Sequence, residues 1–405
     1  MSGAGEQRNV VLGVTGSIAA YKGVELARLL VSRGYNVRTI MTRSACEFVT
    51  PLTFASVTGN PVVSDFWKEG DPSNIGHIEV MDWANVAVVA PATAELISGM
   101  ATGRADSPLL ASLLVARIPI LIAPAMNVNM YEHPATQENI QVLKLRGVHF
   151  VGPEEGELAC GKYGAGRLSD PWEIFHHVRR MASPGDYKGK RVLISTGPTR
   201  EAIDPVRFLS NRSSGKMGVA LAIEAFCRGA DVTLVHGPVP VKVPQAIECV
   251  PVTTAIEMEE AMLKLAFDAP QAPDIVIMTA AVADFRVKQI SEGKIKRAEG
   301  TPRLELVPNP DILKAMGTRR GDKQRPLLAG FAVETGEIDE LLNESREKLK
   351  RKSADLIVGN FAEEAFDLDT NRAWIIDKTG RQEEIATTFK SRVSDRILDA
   401  ILRIW

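Results

Sequence analysis

No CxxC pair occurs in the chain, and its four cysteines, Cys46, Cys160, Cys227 and Cys249, share no short paired spacing. That excludes a zinc knuckle and a thioredoxin-type motif, and it suits a reducing compartment. Excess charge of either sign is also missing. The formal net charge of -2 gives no general pull toward nucleic acid or an anionic membrane. The most apolar region, residues 109–126, is interrupted by Arg117, Pro119 and Pro124, so it makes a poor membrane span. Residues 1–9 are polar and lack the apolar centre of a signal peptide, so a cytoplasmic location is expected. GxGxxG is absent, which disfavours a nicotinamide-dependent oxidoreductase.

What is present is a soluble-globular composition on 405 residues, a length that predicts two domains. Residues 9–16 read as a buried strand ending in glycine. A helix opens at Ser17 and runs to about Ser32, and residues 36–41 make the next strand, giving a βαβ unit. Residues 86–90 and 118–123 are apolar runs without alternation, as parallel strands covered on both faces should be. In open parallel sheets ligands bind beyond the carboxyl ends of the strands. Gly16, Ser17, Thr42, Thr93 and Asn127 should therefore line one edge, and the strand–Gly/Ser–helix start can present N–H groups and a hydroxyl to a phosphate.

Three further features carry chemistry. Residues 157–168, Glu-Leu-Ala-Cys-Gly-Lys-Tyr-Gly-Ala-Gly-Arg-Leu, place Cys160 among three glycines and beside Lys162 and Arg167. Repeated glycine predicts a mobile loop rather than a strand or helix interior. Cys160 is then either a quiet buried thiol or a reactive one near cations. His77 is either structural or catalytic. Asn127, after a strand end, either caps a turn or holds a carboxylate.

Gly-Val-Thr-Gly-Ser-Ile-Ala-Ala-Tyr-Lys (13–22), the His77 segment, Pro-Ala-Met-Asn-Val-Asn-Met-Tyr (124–131) and residues 159–168 together resemble the flavin-dependent cysteine decarboxylases. The resemblance covers about residues 8–180. It implies a flavodoxin-like domain that binds FMN through Gly16, Ser17, Ile18, Thr42 and Thr93. Loss of CO2 from an N-acylated cysteine needs an electron sink. Oxidation of the thiol to a thioaldehyde creates one, and the cofactor carries that redox step. The resemblance implies that His77 assists oxidation and decarboxylation and that Asn127 binds the carboxylate. It also implies that Cys160 gives a proton to the enethiol and that Met130 and Arg167 hold substrate.

Residues 184–190 are a short polar stretch after a predicted amphipathic helix (172–181), and the domain boundary is expected there, giving domains at 1–183 and 191–405. Residues 191–199 again run from strand into glycine loop. Residues 213–218 open a helix to about Cys227, and residues 231–236 form the next strand. Gly215-Lys216 lacks Walker A spacing but can seat a phosphate at a helix start. Residues 274–278 are a buried strand leading into Ala280 and Ala281, small residues that let a ligand approach the backbone. Residues 338–352 form an amphipathic helix with Lys348 and Lys352 one turn apart, a pattern that also fits a solvated face.

Gly-Pro-Thr-Arg-Glu (197–201), Asn-Arg-Ser-Ser-Gly-Lys-Met-Gly (211–218), Ala-Ala-Val-Ala-Asp (280–284), Lys-Ile-Lys (294–296) and Asn-Pro-Asp-Ile (309–312) resemble the phosphopantothenate–cysteine ligases. The whole chain thus resembles the bifunctional bacterial enzymes of coenzyme A biosynthesis. The implied fold is two Rossmann-like α/β domains, the second binding a nucleotide. The implied reaction activates 4′-phosphopantothenate with CTP to an acyl-cytidylate, which the cysteine amine attacks, with Mg2+ and lysines offsetting the triphosphate charge. By this resemblance Asn211 stabilises the intermediate, and Asp284 and Lys294 bind CTP. Pro310, Asp311, Ile312, Leu313, Phe331, Lys348 and Lys352 complete the nucleotide site. The metal ligands are not assigned. Small-molecule partners and a homo-oligomer, a dodecamer, are expected. A flavin-binding regulatory protein without catalysis is the alternative, which need not keep His77, Asn127 and Cys160 together.

Overall fold

The computed structural model describes residues 8–65, 76–157, 161, 163–296, 303–365 and 368–405. The chain divides into two compact units, Met1–Pro184 and Gly185–Trp405.

In unit 1 the strands are β1 (Asn9–Val14), β2 (Asn36–Met41), β3 (Val62–Val63), β4 (Val86–Ala92), β5 (Ile120–Pro124) and β6 (His149–Phe150). They form one sheet in the order β3-β2-β1-β4-β5-β6, every pair parallel. This is the doubly wound Rossmann order. Without the two-residue edge strand β3, the remaining five run in the flavodoxin order. Alternate residues serve opposite layers. Val10, Leu12 and Val14 pack into one core, while Val11 and Val89 pack into the other. Each fully buried aliphatic side chain of this kind stabilises the fold by roughly 1.5–3 kcal/mol. The first helix begins at Ala20, three residues later than the periodicity predicts. Residues 17–19 form a turn in which the Ser17 hydroxyl accepts from Ala19 N–H at 3.3 Å.

The glycine-rich stretch corrects a sequence expectation. β7 (Glu154–Glu157) and β8 (Tyr163–Arg167) pair antiparallel, so Gly164 and Gly166 lie inside a strand, not in a loop. Close approach explains them. A Cβ at Gly164 would stand 2.8 Å from Val128 Cγ2, and one at Gly166 would stand 2.3 Å from the Met126 carbonyl oxygen. Cys160 and Lys162 lie outside the described residues.

Unit 2 contains β9 (Arg191–Thr196), β10 (Arg200–Ala202), β11 (Phe208–Ser210), β12 (Asp231–His236), β13 (Glu248–Pro251) and β14 (Ile275–Met278). It continues with β15 (Phe285–Val287), β16 (Leu306–Pro308), β17 (Leu327–Glu334), β18 (Leu356–Phe361), β19 (Thr370–Asp377) and β20 (Gln382–Phe389). Its main sheet runs β13-β12-β9-β14-β17-β18-β19-β20. The first six strands repeat the Rossmann order in parallel, and β19 and β20 extend the sheet antiparallel. Two small antiparallel ribbons, β10/β11 and β15/β16, stand apart from it. The helix expected from residue 213 begins at Lys216, because Gly215 takes a left-handed conformation at its N-cap.

Of the segment read as a linker, residues 184–190, all but Pro184 belong to unit 2. Tyr187 is fully buried in the unit-2 core, and its hydroxyl donates to the Leu398 carbonyl at 2.7 Å. Its N–H donates to the Arg228 carbonyl, and the Arg228 guanidinium lies over the ring. Arg228 in turn pairs with Asp186 and Asp399. Among the described residues no helix is long and apolar enough to cross a membrane.

Candidate functional site

Each unit reverses its strand order between its first and fourth strands. Each has a cavity beyond the carboxyl ends of its strands, in unit 1 beside β1 and β5 and in unit 2 at the switch itself. In unit 1 the switch lies between β1 and β4. The buried Thr15 hydroxyl ties them, donating to the Pro91 carbonyl at 2.8 Å and accepting from Thr93 N–H at 3.1 Å. This staple went unread in the sequence, where Thr15 is one threonine in a glycine loop. Gly16 is required by space, since a Cβ there would fall 2.5 Å from Ser44. Thr42 caps the helix Arg43–Phe48, accepting from Ala45 N–H at 3.2 Å. Thr93 sits at the N-cap of Ala94–Thr102 but makes no side-chain capping bond.

A cavity of about 490 Å³ gathers Ser17, Ile18, Asn127 and Arg167 with Tyr21, Lys22 and Glu157. The β7/β8 hairpin closes one side, because Met126 N–H donates to the Gly166 carbonyl at 3.0 Å. Asn127 uses its amide oxygen as a cap, accepting from Asn129 N–H at 2.9 Å, so the capping reading applies as well as the cavity position. Gly16, Thr42, Thr93 and the half-exposed Met130 are not among the residues that line this cavity. The His77 backbone belongs to the helix Gly76–Trp83, and its side chain lies outside the described residues. The small Gly16–Ser17 turn, the hydroxyls at 17, 42, 44 and 93 and the adjoining helix start suit a phosphate-bearing flavin.

In unit 2 a cavity of about 620 Å³ lies at the switch between β9 and β14. The segment carrying Ala280, Ala281 and Asp284 is held from both sides. Ala281 N–H donates to the Gly197 carbonyl at 2.9 Å, and Ala283 N–H to the Thr199 hydroxyl at 3.0 Å. From the other side, Asn211 Nδ2 donates to the Val282 carbonyl at 2.9 Å and Asn309 Nδ2 to the Ala283 carbonyl at 2.8 Å. Pro310, Asp311, Ile312 and Leu313 enter the cavity at the start of the helix Ile312–Arg320, where Asp311 is the N-cap. Phe331 lines it from β17. Lys348, on the helix Ile338–Arg351, and Lys352, its C-cap, complete this wall.

Lys294 does not join them. It is exposed and is not among the lining residues. It sits instead on the excursion between β15 and β16, which leaves the cavity rim at Asp284 and Asn309.

Lys216, read in the sequence as a possible phosphate seat at a helix start, also lines the cavity and pairs with Asp369 at 2.7 Å. Three further lining residues went unread in the sequence. Asn360, Asn371 and Lys390 come from β18, β19 and the last helix, Lys390–Arg403. Asn360 and Asn371 are 4% and 1% exposed, and neither amide oxygen has a hydrogen-bond partner among the described residues. For Asn360, an asparagine inside the apolar run of residues 356–361 was the available signal; Asn371, between Thr370 and Arg372, gave none. Among the described residues no group of three or more His, Cys, Asp or Glu side chains could hold a metal ion.

Two doubly wound α/β units, each with a cavity beyond the carboxyl ends of its strands, make this a fused pair of Rossmann-type domains. Residues 2–183 match the Flavoprotein family, and residues 187–404 match the DNA/pantothenate metabolism flavoprotein C-terminal domain. The chain is 46% identical over 403 residues to the coenzyme A biosynthesis bifunctional protein CoaBC of Bacillus subtilis (strain 168), covering 97% of this chain and 96% of that protein. It is 42% identical over 399 residues to the protein of that name from Vibrio cholerae serotype O1, covering 97% and 98%. A solved C-terminal domain of a CoaBC protein is 38% identical, with a TM-score of 0.44, over 54% of this chain and 96% of that one. The chain belongs to the family of bifunctional coenzyme A biosynthesis proteins.

Proposed function

We propose that the two activities of this bifunctional enzyme, phosphopantothenoylcysteine decarboxylase and phosphopantothenate–cysteine ligase, are divided between its units. Unit 2 performs the first step. CTP and 4′-phosphopantothenate meet in the cavity beyond β9 and β14, an acyl-cytidylate forms with release of pyrophosphate, and the cysteine amine displaces CMP. The observation that supports this is the gathering of every residue assigned to the ligase except Lys294 around one cavity that also holds Lys216. Asn211 and the backbone at 280–283 hold the activated acyl group. Lys348 and Lys352 take triphosphate charge, and Phe331 offers a ring face to the nucleotide. Asp284, a carboxylate lining the cavity, would help hold an Mg2+ bound with the triphosphate, which would offset the triphosphate charge.

Unit 1 performs the second step. FMN is held by the 16–18 loop with Thr42 and Thr93, and when bound it supplies the two-electron oxidation and re-reduction at the substrate's thiol carbon. Asn127 receives the carboxylate that leaves as CO2, and Arg167 and Met130 hold the remainder of the substrate. His77 assists the oxidation, and Cys160 returns a proton to the enethiol. The enzyme works in the cytoplasm as a homo-oligomer, for which the family resemblance implies a dodecamer.

Two parallel assays test this reading: CTP-to-CMP turnover that requires cysteine and phosphopantothenate, and CO2 release from phosphopantothenoylcysteine. In the second assay Cys160→Ser should still release CO2 but accumulate the oxidised enethiol. Full turnover to phosphopantetheine by that variant would remove Cys160 from its role.

A further inference from the structure

Asp204 is 2% exposed, yet its carboxylate joins two segments far apart in the chain. It lies in the turn between β10 and β11. Oδ1 accepts from Val206 N–H at 2.7 Å and Arg207 N–H at 2.8 Å, which closes the turn. Oδ2 accepts from Arg207 Nη1 at 2.7 Å and from Ile295 N–H at 3.2 Å. Arg207 Nη1 also donates to the Ile295 carbonyl at 3.1 Å, so the peptide groups on both sides of Ile295 are gripped. A third tie, Ser291 N–H to the Ile203 carbonyl at 3.0 Å, runs to the same turn. Among the described residues, apart from the Lys288–Glu305 pairing at its root and a local Ser291–Gly293 bond, the hydrogen bonds of residues 288–296 go to this turn.

The two residues beside Ile295 are Lys294 and Lys296, both exposed. The strand that leaves the Asp204 turn, β11, leads directly into Asn211. One buried carboxylate therefore connects the hairpin that delivers Asn211 to the excursion that carries Lys294. We propose that Asp204, with Arg207, is a positioning residue for the ligase reaction: it fixes the backbone at Ile295 and so sets where Lys294 stands relative to Asn211. This rests on the reading of Lys294 as a ligase residue. Burial would raise the Asp204 carboxyl, but the N–H groups of Val206, Arg207 and Ile295 and the Arg207 charge outweigh it and hold it below the ordinary carboxylate value.

The division of labour between the two oxygens makes the test selective. Asp204→Asn can keep its oxygen toward Val206 and Arg207, preserving the turn. Its NH2 then faces the Ile295 N–H and the guanidinium, donor against donor. In the full-length chain, trypsin should cleave after Lys294 and Lys296 at least about tenfold faster than in the parent, the scale of a lost charge-assisted bond. CTP-dependent pyrophosphate release should fall about 10- to 100-fold, the scale of a misplaced group, while CO2 release by unit 1 stays unchanged. In a double-mutant cycle, Asp204→Asn should cost nothing further once Lys294→Gln is in place.

An unchanged tryptic rate, or losses that multiply in the double variant, overturns the proposal. If Asp204→Asn fails to fold, Arg207→Met, which keeps the Oδ1 bonds of the turn, must show the same faster cleavage or the proposal fails. If Lys294→Gln alone leaves pyrophosphate release intact, the assignment of Lys294 is wrong, and with it the catalytic part of the proposal. The tryptic arm then still decides the clamp.

Discussion

The Lys352 ammonium lies 2.7 Å from the Asp311 carboxylate, whereas Lys348, one turn earlier on the same wall, has no carboxylate within ion-pairing distance among the described residues. Burial would raise the Asp311 carboxyl, but its bonds with Lys352 and the Lys314 N–H hold it below the ordinary range. Lys348 is pulled below the ordinary lysine value of 10.5, first by burial and then by the Lys352 charge. Glu334, Glu344 and Asp311 oppose that pull without cancelling it. The charge of Lys352 is thus matched inside the protein, and that of Lys348 awaits an anion.

Lys348→Met should therefore weaken CTP binding by about 10- to 100-fold while making the ligand-free protein more resistant to heat. The pH dependence follows from the lowered value. Charged Lys348 costs stability below its folded pKa, and the cost fades as pH rises through that value toward 10.5. A bound triphosphate favours the ammonium, so binding takes up a proton and the KM for CTP should climb as pH rises through the same window. Titration calorimetry in two buffers of different ionisation enthalpy reads the uptake. A ligand-free melting temperature lowered by Lys348→Met would remove the argument.

Asn211→Asp should slow CTP-dependent activation about 100-fold and leave decarboxylation intact. The amide donates to the Val282 carbonyl at 2.9 Å, and a carboxylate there would set oxygen against oxygen. The side chain would turn away and the 280–284 segment would lose one of its holds. Pyrophosphate release and CO2 release, measured on the same preparation, check both halves. Equal loss of the two activities would show that the sites are not independent.

Gly166→Ala should cut CO2 release about tenfold or more while the protein keeps its flavin absorbance. The new methyl would fall 2.3 Å from the Met126 carbonyl oxygen and push the hairpin off the segment that carries Asn127. Gly161→Ala is the control, because among the described residues nothing lies within 4 Å of its Cβ position. Only the positive φ of +75° is strained there, at a cost of about 1–2 kcal/mol. Equal effects of the two substitutions would mean that hairpin contact with residue 126 does not govern the site.

The parallel strands were legible because burial on both faces writes them as unbroken apolar runs, as at residues 9–14 and 86–92. Ala280 and Ala281, read as small residues at a strand end, line the unit-2 cavity, whereas Gly16 and Thr93, expected at the sheet edge from the carboxyl-end rule, are not among the residues lining the unit-1 cavity. Contacts that depend on tertiary approach were not legible. Gly164 and Gly166 belong to a strand because Val128 and Met126 press on it, which local glycine content cannot reveal. Asn371 and Lys390 join Asn360 at the cavity because β19 pairs with β18 and the last helix packs on β19. Lys294 shares a motif with other lysines, yet a clamp at Ile295, distant in sequence, sets its place.

Tyr187 decides where the chain can be cut. A fragment of residues 185–405 keeps the ring in the core of unit 2, its hydroxyl on the Leu398 carbonyl, and Asp186 on Arg228. A fragment of residues 191–405 begins at β9 and leaves that pocket open to water between the helices Lys216–Cys227 and Lys390–Arg403. Loss of a buried aromatic ring costs about 3–5 kcal/mol, a large part of the stability of a domain this size. The longer fragment should therefore retain CTP-dependent ligation, and the shorter one should melt well below it or fail to fold. Residues 1–184, cut at the same place, should bind FMN alone, because none of the loops assigned to the flavin lies beyond Pro184. Tyr187→Phe in the full chain separates the two contributions of the ring. It keeps the packing and loses the bond to Leu398, so its transition should fall between those of the parent and Tyr187→Ala. Equal melting of the two unit-2 fragments would show that residues 185–190 are a linker after all.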